Sequence, residues 1–227
     1  MIFSVDHMVF VTSKPQRDQL VSRLLTAAFA RKGLLLDFAE KGSASESLAY
    51  AGGGMVEFVY PLDMRKVPSV WFNGLPRLMG LGFASDDFAA DTAWEPDPGA
   101  WTMNEDHILP DGSTLHIHAA GPHEHLSPFY VFVMDRPNRL LQFPEVSTGP
   151  KLTRLLISGK DANVWHGRLE RWLHLAGRDG RLLVGDVEIE FRQTTDAEMR
   201  ASPTFAVTTG QGRVALSGSS IELVGSK

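Results

Sequence analysis

A pattern that recurs at a spacing of 73 residues constrains this chain more than any single motif. Residues 8–13 can be laid on Leu81 to Asp86, and Leu155 to Ser158 stand a further 73 residues beyond Gly82 to Ser85. The correspondence lies in apolar patterning, not residue identity. Equal spacing at three starts argues for duplication of one supersecondary unit.

The first copy defines that unit. Phe3, Val5, His7, Val9 and Val11 alternate with Asp6, Met8 and Phe10, the pattern of a strand with useful side chains on both faces. Ser13 is placed as an N-cap with Pro15 in the first turn, and Leu20, Val21, Leu24, Leu25, Ala28 and Phe29 recur at helical spacing. Gly33 stands where a glycine after the helix is expected. Strands are expected over Leu34–Phe38, Ser47–Ala51 and Met55–Tyr60, with Gly52-Gly53-Gly54 as a hairpin turn; no helix follows these glycines, so they do not read as a phosphate cradle. The unit reads βαβββ.

From Gly80 the order repeats: a strand, a short helix over Asp87–Trp94, then strands over Trp101–Ile108, Ser113–Ala119 and Pro128–Met134. From Leu152 a third copy has a helix over Val164–Leu175, carrying Trp165, Leu169, Trp172 and Leu173 on one side, and strands over Leu182–Phe191, Thr204–Val207 and Arg213–Val224. The expected class is α+β. The expected organisation is residues 1–135 as two paired units (about 1–63 and 78–135), 136–151 as linker and 152–227 as a third, divergent unit.

Composition narrows the partners. A formal charge of −5 without a Lys/Arg-rich run argues against nucleic acid and against an anionic membrane surface. With no cysteine, disulfides, thiolate metal sites and cysteine nucleophiles are excluded, so any metal must be held by His and carboxylate. No run approaches the roughly 20 apolar residues of a membrane span, and Asp6 and His7 interrupt the apolar start; a soluble, cytoplasmic protein is expected.

Asp6-His7-Met8-Val9-Phe10-Val11, Met55-Val56-Glu57-Phe58-Val59, and Leu109 to His118 followed by Pro128 to Val133 together resemble the glyoxalase-like domain of the vicinal-oxygen-chelate superfamily. Order and spacing carry the resemblance, over about residues 1–135. It implies that paired βαβββ units curl a mixed sheet into an open cup with helices outside, often around a divalent metal. It further implies that the first-strand His7 and the end-of-unit Glu57 are metal ligands. The second unit departs from the pattern: the counterpart of His7 is about Gly80, and Phe132 stands where the family often has a glutamate.

The residues carry their own arguments. His7 shares a strand face with valines, so its imidazole is either a satisfied core group or a functional one. Glu57 lies in an apolar run and must meet a metal, a cation or water; a ligand and a general base are both natural roles. His116 and His118, two apart on a strand, project to one face as metal ligands or substrate contacts. His123-Glu124-His125 sits in a Gly/Pro/Ser loop and reads as surface.

Two functions follow for the cup, beside a third reading in which the cup is vestigial and residues 152–226 act as an interaction module. In one, His7, Glu57 and one or both of His116 and His118 hold zinc, iron, nickel or manganese for a lyase, isomerase or dioxygenase acting on a small oxygenated metabolite, with Glu57 catalytic and His116, His118 and Phe132 contacting substrate. In the other, the same cup is a metal-free small-molecule-binding protein. A homodimer is compatible with either, since open cups leave edge strands to pair.

Overall fold

The computed structural model describes residues 2–38, 42–67, 77–93, 100–108, 112, 114–122, 130–136, 148–196, 200–207, 212–217 and 220–225. Its first half runs β1 (Ile2–Val11), α1 (Lys14–Thr26), β2 (Ala30–Phe38), β3 (Ser43–Tyr50), β4 (Gly54–Pro61), β5 (Arg77–Ser85), α2 (Phe88–Asp91), β6 (Trp101–Ile108), β7 (Thr114–Gly121) and β8 (Tyr130–Asp135). These strands form one eight-stranded sheet in the order β2-β3-β4-β1-β5-β8-β7-β6. Within each unit the first and last strands are parallel, β1 with β4 and β5 with β8, and the units join through antiparallel β1 and β5. The sheet is mixed and curled, the expected α+β arrangement of tandem βαβββ units.

Local chemistry accounts for most element ends. Ser13 and Gln16 form a capping box at the start of α1, satisfying two otherwise orphaned N–H groups. Gly52 and Gly53 both adopt positive φ (92° and 87°) in the three-residue hairpin loop between the paired Tyr50 and Gly54, a conformation glycine takes without strain. Helix α1 stops at Thr26, well before Gly33, and the turn is taken by Ala28 at a φ of 66°. The reason is tertiary: Phe29 is buried, its ring edge-on to Phe205 at 4.8 Å, so the chain must leave the helix to deliver it there.

The second half forms β9 (Lys151–Gly159), α3 (Ala162–Leu173), β10 (Gly177–Arg178), β11 (Arg181–Val184), β12 (Val187–Gln193), β13 (Arg200–Val207), β14 (Gly212–Ser217) and β15 (Ser220–Gly225). They make a separate seven-stranded sheet, order β10-β11-β12-β9-β13-β14-β15. The single strands expected at 182–191 and 213–224 are each two: Gly185, at a φ of 57°, and Asp186 turn β11 into β12, and Ser217 pairs back with Ser220. Strand β9 lies parallel to β12 and antiparallel to β13, as β1 lies between β4 and β5.

The helix-bearing faces of both sheets meet in one core. Met8, Leu24 and Phe83 of the first half and Leu155, Trp165 and Phe205 of the second belong to a single buried cluster. Tyr50 ties it together: its ring lies against Phe205 (5.2 Å), its hydroxyl donates to the Val5 carbonyl (3.0 Å), and a Cβ on Gly54 would fall within 2.1 Å of it. A separate cluster, including Val9, Val11, Val59, Met79 and Phe132, lies on the other face of the first sheet. Because the two sheets share their larger core, Phe205→Ala should cost about 3–5 kcal/mol. Urea unfolding should remain one transition for both halves; a separate early transition of the second half would contradict a shared core.

Candidate functional site

Strand register decides which side chains share the concave face of the first sheet. His7, Val9 and Val11 on β1 stand opposite Met55, Glu57 and Val59 on β4. On the other side, β5 presents Gly82 beside His7 and Gly80 beside Val9, and β8 presents Phe132 beside Gly82 and Tyr130 beside Gly80. Ser47 and Ser45 of β3 flank Glu57 and Val59.

Two glycines shape this surface. A Cβ on Gly80 would lie 2.6 Å from the Tyr130 ring, and one on Gly82 would lie 2.5 Å from the Phe132 ring. The rings therefore lie flat over β5, inclined toward β1 and stacked on each other at 5.6 Å, with Phe132 reaching to 5.8 Å from the His7 ring. At the sheet edge the Trp101 indole lies over Gly121 in the same way, within 2.5 Å of where a Cβ would stand. The result is an overlapping floor of aromatic rings.

The polar groups gather at β1 and β4. A bulge in β1 between Val5 and His7 places Asp6, itself buried, where its carboxylate accepts a hydrogen bond from His7 Nδ1. Glu57 is half-buried and makes no ion pair among the described residues. Burial, and secondarily the Glu57 charge, push the Tyr130 phenol far above its ordinary pKa of 10.0, so Tyr130 stays protonated beside the carboxylate.

No family model and no curated protein matches the sequence. Solved structures match its fold. A hypothetical protein from Staphylococcus aureus aligns with a TM-score of 0.65 at 9% identity, over 99% of both chains. A xylose isomerase-like TIM barrel/4-hydroxyphenylpyruvate dioxygenase fusion protein aligns at 0.61 and 9% identity, over 90% of this chain and 36% of its own. A mutant of 4-hydroxymandelate synthase from Streptomyces coelicolor aligns at 0.52 and 10% identity, over 89% of this chain and 63% of its own. This chain therefore spans about a third of the fusion protein and under two thirds of the synthase. The chain has the vicinal-oxygen-chelate fold.

That fold gives the register a further meaning. The pairs His7 with Gly82 and Val9 with Gly80 are related by a pseudo-twofold axis near Met8 and Leu81, so His7 corresponds to Gly80. Glu57 faces Val9, and the equivalent partner across β5 and β8, beside Gly82, is Phe132. If His7 and Glu57 are the ligand positions that the sequence resemblance implies, their counterparts in the second unit are Gly80 and Phe132. These two have no donor atom, and the Tyr130 ring covers the space over Gly80. Among the described residues no group of three or more His, Asp or Glu converges as a metal site would require. The described residues do not supply the donor set of a chelated ion.

His116 and His118, expected beside His7 and Glu57, lie on the opposite face of the sheet. Their neighbours Ile117 and Ala119 belong to the concave cluster, and strand alternation turns the histidines outward. There the His118 ring packs 4.2 Å from Phe88 of α2, with Nδ1 3.0 Å from Asp135, while His116 Nδ1 lies 2.6 Å from the cross-strand Asp106. The His123-Glu124-His125 loop is outside the described residues.

In the second sheet the equivalent positions are occupied differently. Its helix side is set by Leu155 and Ile157, so Arg154 takes the place of His7, and Glu190, facing Leu156, takes that of Glu57. Arg154 pairs with Glu190 and Glu188, and Arg192 donates to Glu190 at 2.8 Å. Here the carboxylates are neutralised by arginines.

Sequence reasoning missed Asp6, Tyr130 and Trp101. The available signal was the matched spacing of Gly80-Leu81-Gly82 and Tyr130-Val131-Phe132, two glycines opposite two rings. Gly80→Ala should displace Tyr130 and destabilise the protein by about 1–3 kcal/mol in urea. The unfolded chain releases the Tyr130 proton near the ordinary value while the folded one keeps it. Stability should therefore fall as pH rises beyond about 10, and fall less in Tyr130→Phe, as unfolding midpoints at pH about 9 and about 11 would show.

Proposed function

We propose that the concave face of the first sheet is a small-molecule-binding site, with Glu57 and His7 as its polar end and Phe132, Tyr130 and Trp101 as its aromatic wall. The observation that carries this reading is Glu57, a half-buried carboxylate on an apolar face with no cation among the described residues. Leaving a charge so placed costs stability, and such a cost is characteristic of groups that serve a ligand. Glu57 is also the group best placed to accept a proton from a bound molecule.

This is the metal-free form of the two functions open to the fold. The metal-dependent lyase, isomerase or dioxygenase needs more donors than His7 and Glu57 provide. One observation favours it: the Asp6 carboxylate on His7 Nδ1 orients the ring as second-layer carboxylates orient metal-bound histidines. No helix among the described residues is long and apolar enough to cross a membrane.

Glu57→Gln should raise stability by about 0.5–2 kcal/mol while abolishing retention of the bound molecule. Native mass spectrometry of the protein as purified should show an added small-molecule mass that the variant lacks. Metal analysis after growth with zinc, iron, nickel and manganese should find well under one equivalent. A stoichiometric ion lost in both His7→Ala and Glu57→Gln would establish the metal-dependent reading instead.

A further inference from the structure

We infer that the concave face takes a small organic cation, a protonated amine or quaternary ammonium on an apolar body, with the charged nitrogen beside Glu57. The inference rests on the binding reading above and goes further by naming the sign of the ligand's charge.

Charge is segregated along the first sheet. The chain has 22 Lys and Arg residues, yet β1, β3, β4, β6, β7 and β8 carry none, and β5 has only Arg77, its first residue. The same strands hold Asp6, Glu46, Glu57, Glu105, Asp106 and Asp135. Three of these acids are engaged away from the concave face. Glu46 pairs with Arg17 of α1, and Asp106 and Asp135 hold His116 and His118 on the opposite side. Glu57 on β4 and Glu105 on β6, opposite Ile117, stand on the concave side.

The sign of this surface does not depend on the state of its histidines. His7 lies on the Asp6 carboxylate, and His107 stands 3.6 Å from Glu105. Each pair sums to zero with a charged imidazole and to a negative charge with a neutral one. Glu57 adds its own carboxylate to either sum, and no ion pair among the described residues offsets it. An anionic ligand would meet like charge here, whereas a cationic one supplies the missing counter-ion.

Glu57 is reachable. It and His7, Tyr130, Trp101, Met103 and Met134 keep part of their surface open to solvent. Tyr130 lies close enough to Glu57 to feel its charge. Aromatic ring faces attract cations, and methionine thioethers are polarisable and adapt to irregular apolar groups. A metal ion would need several converging donors, which the described residues do not offer; an ammonium on a hydrocarbon needs one carboxylate and soft apolar surface.

Benzylammonium, benzyl alcohol and phenylacetate share one benzyl group and differ in charge. Titration calorimetry on the full chain, at low and at high salt, measures each. Benzylammonium should bind about tenfold or more tightly than benzyl alcohol at low salt, the ratio expected when a charged group is answered, and phenylacetate should bind more weakly than either. The preference for benzylammonium should shrink as salt screens it. Glu57→Gln, which keeps the side chain's shape, should bring benzylammonium and benzyl alcohol within about threefold of each other. Equal binding of these two to the unaltered protein, a tenfold preference that survives in Glu57→Gln, or phenylacetate binding as tightly as benzyl alcohol would overturn the cation and leave the binding site standing. No binding by any of the three would overturn both.

Discussion

The antiparallel pairing of β1 with β5 is the constraint on which the site depends. It joins two βαβββ units about a pseudo-twofold axis and brings the first strands of both to the middle of one sheet. A symmetric sequence on that backbone would give four equivalent inward positions. This sequence is asymmetric there: β1 contributes His7, and β5 contributes Gly80 and Gly82, onto which β8 lays two aromatic rings. Removing two Cβ atoms from β5 converts half of a potential donor set into an apolar floor. The fold is kept because the opposite face of the same strands, Met8, Leu81 and Phe83, is fully buried in the core.

The two sheets treat equivalent carboxylates differently. Glu190 and its neighbour Glu188 sit among Arg154, Arg181 and Arg192, pairs that in exposed settings contribute about 0–1 kcal/mol each and leave the surface electrically quiet. Glu57 makes no ion pair among the described residues; Val9 and Ser47 flank it in the sheet, and Tyr130 lies close enough to feel its charge. One chain thus holds a neutralised and an unneutralised version of the same backbone position. The contrast argues that the charge on Glu57 is not a by-product of the fold, since the fold accommodates a neutralised version elsewhere.

Much of the architecture was legible because its signals are local. The N-cap at Ser13, the Gly52-Gly53 turn and the alternation of β1 from His7 to Val11 depend on a few neighbouring residues, whereas the bulge that sends Val5 to the other face did not announce itself. The end of α1 was not legible, because Phe29 leaves the helix to meet Phe205, some 176 residues away in sequence. The positions of His7 and Glu57 on the concave face were visible from their apolar strands. The placement of His116 and His118 failed on a question the sequence could have answered: Leu115, Ile117 and Ala119 form the apolar face of β7, and an apolar concave surface turns their polar neighbours outward.

A chelating centre and an aromatic floor compete for the same volume. An ion at the centre of the cup needs donors converging from both units, and the second unit would have to supply them from Gly80 and Phe132. Restoring a donor at Gly80 would require a Cβ where the Tyr130 ring now lies, and restoring one at Phe132 would remove the ring that flanks His7. The glycines and the rings are therefore one coupled choice, made on adjacent strands, and it trades coordination for stacking. Among the described residues the ionisable side chains of this region, Asp6, His7 and Glu57, lie on β1 and β4, with Ser45 and Ser47 of β3 beside them.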